Sequence, residues 1–328
     1  MKVEDVESPL AAQPALGLVL PWLTARDICT VRALNHVCSR ISRNQTRAMH
    51  VRRLNHAQAI ALLVRAFPHV QRLVIDVCSL KIQDLRAALT AVPGWTLRWL
   101  GLTQVWHLTD DLLHTLTAQL PKLQTLQVAQ CYKLTAPRFT APQLVTLHLE
   151  NCLITQIDPA THWPLLQSLT LSSRVLTTAH ARTLIKTQLL PSRLEQLDLT
   201  NCLALEQLVV DSTDLPHLRC LVLRSCIGLQ RVCVASSTIV ALDLALCVEL
   251  KWAMLHLRHV TALDLSFMQQ LEKLYLHSTA LTQLDLRGSA QLQRENLQID
   301  CPQLDHVLLH GSTVTMDDVR TSGQPEIG

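Results

Sequence analysis

A fixed period constrains this chain more than any single motif. From residue 194 onward one pattern recurs with little interruption: Leu194-x-x-Leu197-x-Leu199-x-x-Cys202, Leu218-x-x-Leu221-x-Leu223-x-x-Cys226, Ile239-x-x-Leu242-x-Leu244-x-x-Cys247, Val260-x-x-Leu263-x-Leu265-x-x-Met268 and Leu281-x-x-Leu284-x-Leu286-x-x-Ser289. The last three steps are each 21 residues. Self-similarity at such a spacing marks a stack of like units, each burying its apolar face on its neighbours. Within a copy, Leu-x-Leu has the period of two expected of a short strand with one buried face. The Leu three places before it and the Cys three places after it turn the chain into and out of that strand.

Upstream copies are longer. Val70-x-x-Leu73-x-Ile75-x-x-Cys78, Leu97-x-x-Leu100-x-Leu102, Leu123-x-x-Leu126-x-Val128-x-x-Cys131, Leu144-x-x-Leu147-x-Leu149-x-x-Cys152 and Leu166-x-x-Leu169-x-Leu171 precede the regular stretch, and Leu304-x-x-Val307-x-Leu309-x-x-Ser312 follows it. Residues 82–92, 108–120 and 177–190 carry apolar side chains at helical spacing, and Thr109-Asp110-Asp111 supplies an N-cap with acids for the helix dipole. A 21-residue copy has no room for a full helix. Its second half carries another apolar pattern, as in Leu205-x-x-Leu208-x-Val210, Leu229-x-x-Val232-x-Val234 and Leu271-x-x-Leu274-x-Leu276. That spacing predicts an extended outer segment.

Composition narrows the class. The 328 residues carry a formal charge of +3 and only 3% aromatics, which disfavours a stacking platform for nucleic acid. Residues 26–72 hold nine arginines against the single acid Asp27, a basic surface able to steer an acidic partner but without interleaved aromatics. Hydrophobic content is 48%, yet no run reaches 18 apolar residues, so no membrane partner is expected. The start, MKVEDVESPL, is acidic where a signal peptide needs a basic start and an apolar core. Six of the eleven cysteines (Cys78, Cys131, Cys152, Cys202, Cys226, Cys247) fall in one repeat slot, where they are expected as a column of buried small groups. Buried thiols of that kind imply a reducing compartment, cytoplasmic or nuclear.

The repeated motif resembles the leucine-rich repeat, and Cys in the ninth position resembles the cysteine-containing subtype of F-box proteins. Val19-Leu20-Pro21-Trp22-Leu23-Thr24-Ala25-Arg26-Asp27-Ile28, followed by Val31-Arg32-Ala33-Leu34-Asn35, is similar to the core of an F-box. The resemblance implies an α/β fold, a leucine-rich repeat solenoid of horseshoe form with about eleven repeats over 55–315. A short helical F-box-like cap would span 9–54, behind a disordered 1–8 and ahead of a loose tail at 316–328. It implies the substrate-recognition subunit of a Skp–cullin–F-box ubiquitin ligase, whose F-box docks on the Skp adaptor while the repeats hold an unidentified target protein. Leu20, Trp22, Leu23, Asp27, Ile28 and Leu34 are the adaptor-binding candidates. The alternative is a stand-alone repeat scaffold whose N-terminal helices only cap the open end of the solenoid. The absence of a Leu-Pro opening at Ala11-Ala12 favours it.

The residues between the leucines face outward from the inner strands and define the candidate partner-binding concave face: Trp99, His148, Glu150, Asp198, Arg224, Asp243, Asp264, Asp285 and Arg287. The four aspartates form an acidic stripe broken at Val222, suited to a basic segment of a partner; an equally simple reading is that Leu-Asp-Leu is the repeat's own way of exposing a solvated acid. Trp99 is either a contact anchor or cover for the adjoining loop. Nothing points to catalysis. The chain has no Cys-x-x-Cys pair, no Gly-rich phosphate loop among its eight glycines and no Gly-x-Ser-x-Gly elbow. His256 and His259 lack a nearby Cys or carboxylate partner in sequence. A non-catalytic protein without metal or cofactor is expected.

Overall fold

The structure is a computed structural model that describes residues 47–54, 69–78, 83, 96–158, 161, 163–189 and 193–321. The adaptor-binding candidates Leu20, Trp22, Leu23, Asp27, Ile28 and Leu34 lie outside the described residues, as do 1–46 as a whole, the last seven residues, and all but Gln83 of the helix expected over 82–92.

Two compact units emerge. The first comprises residues up to Leu134 together with Arg138–Leu144. Its parallel strands are β1 (Ala48–Leu54), β2 (Arg72–Cys78), β3 (Trp99–Val105) and β4 (Thr125–Ala129). They pair in chain order with leucines stacked in register: Leu73 lies beside Leu100, and Leu100 beside Leu126. One strand exceeds the sequence expectation. Ala48–Leu54, assigned above to the helical module ending at 54, pairs with β2 and places Met49 beside Leu73 and Val51 beside Ile75. Met49 and Val51 alternate as buried residues, but Arg52 and Arg53 occupy the rest of the strand, so the leucine pattern never announces it. The helix α1 (Asp110–Ala118) forms where its cap was read. Thr109 Oγ1 accepts the Leu112 N–H at 3.4 Å, Asp110 and Asp111 fill the first turn, and Leu112, Leu113 and Leu116 are buried.

The second unit runs from Val145 onward with Thr135–Pro137. After β5 (Thr146–Glu150) and β6 (Ser168–Ser172) comes the helix α2 (Thr178–Thr183), which continues into a π turn over Leu184–Gln188 and buries Ala181, Leu184 and Ile185. From there inner and outer strands alternate: β7 (Gln196–Asp198), β8 (Gln207–Asp211), β9 (Cys220–Val222), β10 (Arg231–Ser236), β11 (Ala241–Asp243), β12 (Trp252–Leu257), β13 (Ala262–Asp264), β14 (Lys273–Ser278), β15 (Gln283–Asp285), β16 (Leu297–Asp300) and β17 (His306–Leu308). The odd-numbered strands hold the first residue of Leu-x-Leu, which is Val307 in β17. Even-numbered strands, β8 to β16, form one continuous five-stranded parallel sheet, the extended outer segment that the second apolar pattern predicts. Between the two layers lies the core. Leu221 and Leu242 stack on the inner side, while Val232, Ala253 and Leu274 stack on the outer, all buried. At about 1.5–3 kcal/mol for each buried aliphatic side chain, this column dominates cohesion. The chain end also departs from expectation. Residues 316–321, assigned to a loose tail, form the helix α3 (Met316–Thr321), anchored by buried Val319 and capped by Asp318 Oδ2, which accepts the Thr315 N–H at 2.9 Å.

The Cys slot has a hydrogen-bonding reason as well as a packing one. The thiols of Cys202, Cys226 and Cys247 each donate to the main-chain oxygen of the preceding inner turn, Leu171, Leu199 and Leu223, at 3.2 Å. Ser289 does the same to Leu265 at 3.5 Å. A small side chain with one donor fits beneath the turn and adds a second bond to a carbonyl: the Leu199 and Leu223 oxygens already accept the Cys202 and Cys226 N–H at 3.2 Å. Burial pushes the Cys226 thiol up to about 11 and that of Cys247 up to about 12.

A second ladder runs one residue ahead of the slot. Gln130, Asn151, Asn201, Ser225, Leu246, Phe267, Gly288 and Gly311 all have φ between +52° and +76°. At these eight turns the chain leaves the inner strand through a left-handed residue that swings it down toward the slot that holds Cys131, Cys152, Cys202, Cys226 and Cys247. Asn, Ser and Gly suit that conformation; Leu246 and Phe267 do not, and both are more than half exposed.

The inner ladder is interrupted once. β5 to β7, β9 and β11 are hydrogen-bonded in sequence, as are β13, β15 and β17, but β11 and β13 are not bonded to each other. Elsewhere the residue after the strand donates across the step, as in Leu223 N–H to Asp243 O and Leu265 N–H to Asp285 O, each at 2.8 Å. Outer strands β10, β12 and β14 stay fully paired beside the open step.

Candidate functional site

Repeat geometry brings part of the expected face together. Arg224, Asp243, Asp264 and Asp285 line a groove of about 720 Å³ on the inner side of the second unit, which runs from β11 across β13 and β15 to β17 and includes the open step between β11 and β13. Arg287 adjoins it through Asp285: its guanidinium Nη2 lies 2.6 Å from Asp285 Oδ2. Asp198 lies further along the same row, on β7, separated from Asp243 by Val222 of β9. His148 and Glu150 are on β5. There His148 Nδ1 and Thr170 Oγ1 are 2.9 Å apart, and Glu150 sits in register with Ser172. Trp99 belongs to the first unit. Its ring lies over Gly101, where an added Cβ would come within 2.6 Å of it, and the Arg72 guanidinium stacks 4.1 Å from its centre. Trp99 thus covers its own sheet.

The aspartates do two jobs at once. Asp243 Oδ1 accepts the Ala245 N–H at 2.9 Å, Asp264 Oδ1 the Ser266 N–H at 2.9 Å, and Asp285 Oδ1 the Arg287 N–H at 3.0 Å. Asp198 Oδ1 repeats this with Thr200, accepting its N–H at 2.8 Å and its hydroxyl at 2.6 Å. A side-chain acceptor two residues ahead closes the turn that leads into the left-handed position. Leu-Asp-Leu is therefore turn chemistry, and its second carboxylate oxygen is not used by the turn; at Asp285 the Arg287 guanidinium takes it. That oxygen lies 3.6 Å from Arg224 Nη1 at Asp243, and it carries no hydrogen bond or ion pair at Asp264 among the described residues. Burial pushes the Asp285 carboxyl up, but hydrogen bonds from the Arg287 side chain and backbone outweigh it and hold the group below the usual carboxylate range. The groove is an anionic surface with two cations folded back on it, at Arg224 and Arg287.

His306 and Leu308 line the same groove but are not among the candidates read from sequence. Leu308 is 51% exposed, in the slot that holds Asp in the three preceding repeats. His306 stands in the row of Ala262 and Gln283, two residues before the middle slot; reading that row in the aligned repeats would have found it. Among the described residues, no group of three or more His, Cys, Asp or Glu is placed to hold a metal ion. No helix among them is long and apolar enough to cross a membrane.

No protein-family model matches the chain, and no curated protein matches it. Among solved structures it is similar to the leucine-rich repeat domain of the type III effector XopL, with 18% identity over 85% of this chain and 81% of that one at a TM-score of 0.42. A complex of Rad7 and Elc1 from yeast gives 12% identity over 95% of this chain and 89% of that one, with a TM-score of 0.42. A TLR13–ssRNA13 complex gives 14% identity over 83% of this chain and 52% of that one, with a TM-score of 0.44.

Proposed function

We propose that this chain is a non-catalytic protein-binding scaffold whose inner strands hold a basic segment of a target protein. We further propose that it serves as the substrate-recognition subunit of a Skp–cullin–F-box ubiquitin ligase in the cytoplasm or nucleus. The observation that carries the binding half is the groove across β11 and β13, where Asp243, Asp264 and Asp285 stand in consecutive repeats with Oδ1 fixed by the backbone. Fixed carboxylates lose little freedom on meeting a cation, which favours recognition of Lys or Arg side chains. The ligase half rests on the resemblance of residues 19–35 to an F-box. Its mechanism is proximity, since holding a target beside a separately supplied ubiquitin-charged enzyme raises their effective concentration.

Co-purification with a Skp-type adaptor tests the ligase half. Because β1 is part of the first unit's sheet, removing residues up to Leu54 would strip a structural strand; the variant to use is full-length Trp22→Ala with Leu23→Ala. Stoichiometric capture by the parent and loss in the variant is the expected result, and a folded parent that fails to bind leaves the stand-alone scaffold. For the binding half, Asp243→Asn, Asp264→Asn and Asp285→Asn together keep the turn acceptors and remove the charge. Target capture should fall about tenfold, from roughly 0.5 kcal/mol for each partly exposed pair. Unchanged capture by the folded triple variant refutes it.

A further inference from the structure

The outer sheet of the second unit carries a partly apolar row on its outward face, against which the α2 and π-turn residues Arg182, Ile185 and Lys186 lie only at the β8 edge among the described residues. One face of β8 to β16 meets the core through Leu208, Val210, Val232, Val234, Ala253, Leu255, Leu274 and Leu276. The opposite face, pointing away from the core, carries three rows across the strands. The middle row is Val209, Cys233, Met254, Tyr275 and Gln298, in register strand to strand. Val209 is 52% exposed; Cys233, Met254 and Tyr275 are half-buried, with Cys233 Sγ 3.8 Å from Met254 Sδ. The row nearer the strand starts is Gln207, Arg231, Trp252 and Lys273. The row nearer the strand ends is Asp211, Ala235, His256, His277 and Asp300.

We propose that this face is the contact surface of a homodimer, two copies packed outer sheet on outer sheet about a two-fold axis that runs across the strands. Charge selects the second copy as occupant. Arg231 and Lys273 are exposed at one end of the apolar row, without an acidic partner among the described residues. Asp211 and Asp300 stand at the other end, Asp300 with its carboxylate 2.7 Å from His277 Nδ1. An axis across the strands superposes the middle row on itself and lays the row of Arg231 and Lys273 over the partner's row of Asp211, Ala235, His256, His277 and Asp300, with Arg231 opposite the partner strand that carries Ala235, one strand spacing from Asp211. Lys273 then faces the partner strand that carries His277, one strand spacing from Asp300. Such an interface is isologous, so each complementary contact is made twice. Aromatic and Met side chains at the centre with charges at the rim is the usual anatomy of a contact surface.

Size sets the strength. Five strands at about 4.8 Å and six residues at about 3.3 Å give roughly 500 Å² of projected face per copy. Stable interfaces bury about 800 Å² per partner, so the dimer is weak, with a dissociation constant of micromolar order. It uses the face opposite the inner groove and leaves that groove open in both copies.

Sedimentation velocity on the full chain from about 1 to about 200 µM spans the range in which such a dimer forms. The wild type should shift from monomer to dimer, and Tyr275→Glu should weaken association at least tenfold. Lys273→Glu alone and Asp300→Lys alone should each weaken it, because each opposes like charges. An equimolar mixture of the two single variants should restore the dimer, because each acid of one copy then meets a base of the other. That rescue distinguishes a specific contact from damage to the fold. Monomer throughout the range overturns the proposal. If Cys233 then also resists alkylation, another segment of this chain covers the sheet; if it reacts readily, the face belongs to a different protein. A dimer untouched by Tyr275→Glu, or no rescue on mixing, overturns it equally.

Discussion

At Leu246 the repeat makes a non-glycine residue adopt φ = +64°, and the cost is measurable by a reversal of sign. On ordinary exposed backbone, Ala is more stable than Gly by about 0.4–1 kcal/mol because Gly gains more freedom on unfolding. In the left-handed region an L side chain costs roughly 1–2 kcal/mol that Gly does not. Subtracting the two, Leu246→Gly should be more stable than Leu246→Ala by about 0.5–1 kcal/mol. Both variants remove the same partly exposed side chain, so lost burial cancels from the comparison. Val240 serves as the control: it is 51% exposed and not among the positive-φ residues, so Val240→Ala should be more stable than Val240→Gly. Urea unfolding of the four variants gives the two differences directly, provided the slopes agree. If Ala equals or exceeds Gly at 246, the ladder of left-handed residues is not under strain at that rung and the reasoning fails.

Two further outcomes follow from the same geometry. The raised thiols make stability depend on alkaline pH. Below the ordinary thiol value near 9 both folded and unfolded chains keep the protons; above it the unfolded chain releases them first, so stability falls as pH rises toward about 11 for Cys226 and about 12 for Cys247. Cys247→Ser, copying Ser289, should flatten that fall in denaturation curves between pH 9 and 11; an unchanged slope would contradict it. At the open step, the Leu244 amide should exchange with deuterium at least tenfold faster than those of Leu223 and Leu286, which donate across closed steps at 2.8 Å; equal protection would show the step to be closed in solution.

Most of the fold is legible because the repeat writes it many times over. The first Leu of each Leu-x-Leu falls on an inner strand wherever the residues are described, and the outer strands appear where Leu205, Leu229 and Leu271 begin a second pattern. The Cys column is buried as read. What escaped was set by main chain and by neighbours. β1 shows Met49 and Val51 buried and continues in sequence with two arginines, so its membership depends on pairing with β2. The left-handed ladder hides because Gln130, Asn201, Leu246 and Phe267 share a conformation and no side-chain type. Of the face, the alignment of Asp243, Asp264 and Asp285 follows from period alone. Their tie to the turn depends on which oxygen meets which N–H, and the open step that the groove includes is marked by no residue pattern.

The interrupted ladder also has a mechanical meaning. Where both ladders are closed, force applied along the stack is shared between two rows of bonds. Between β11 and β13 it falls on the outer row alone, carried by β10, β12 and β14. That step is a notch. Under tension the second unit should gape first on its inner side, hinging about the outer strands, so that a target lodged there and braced on both lips would act as a splint.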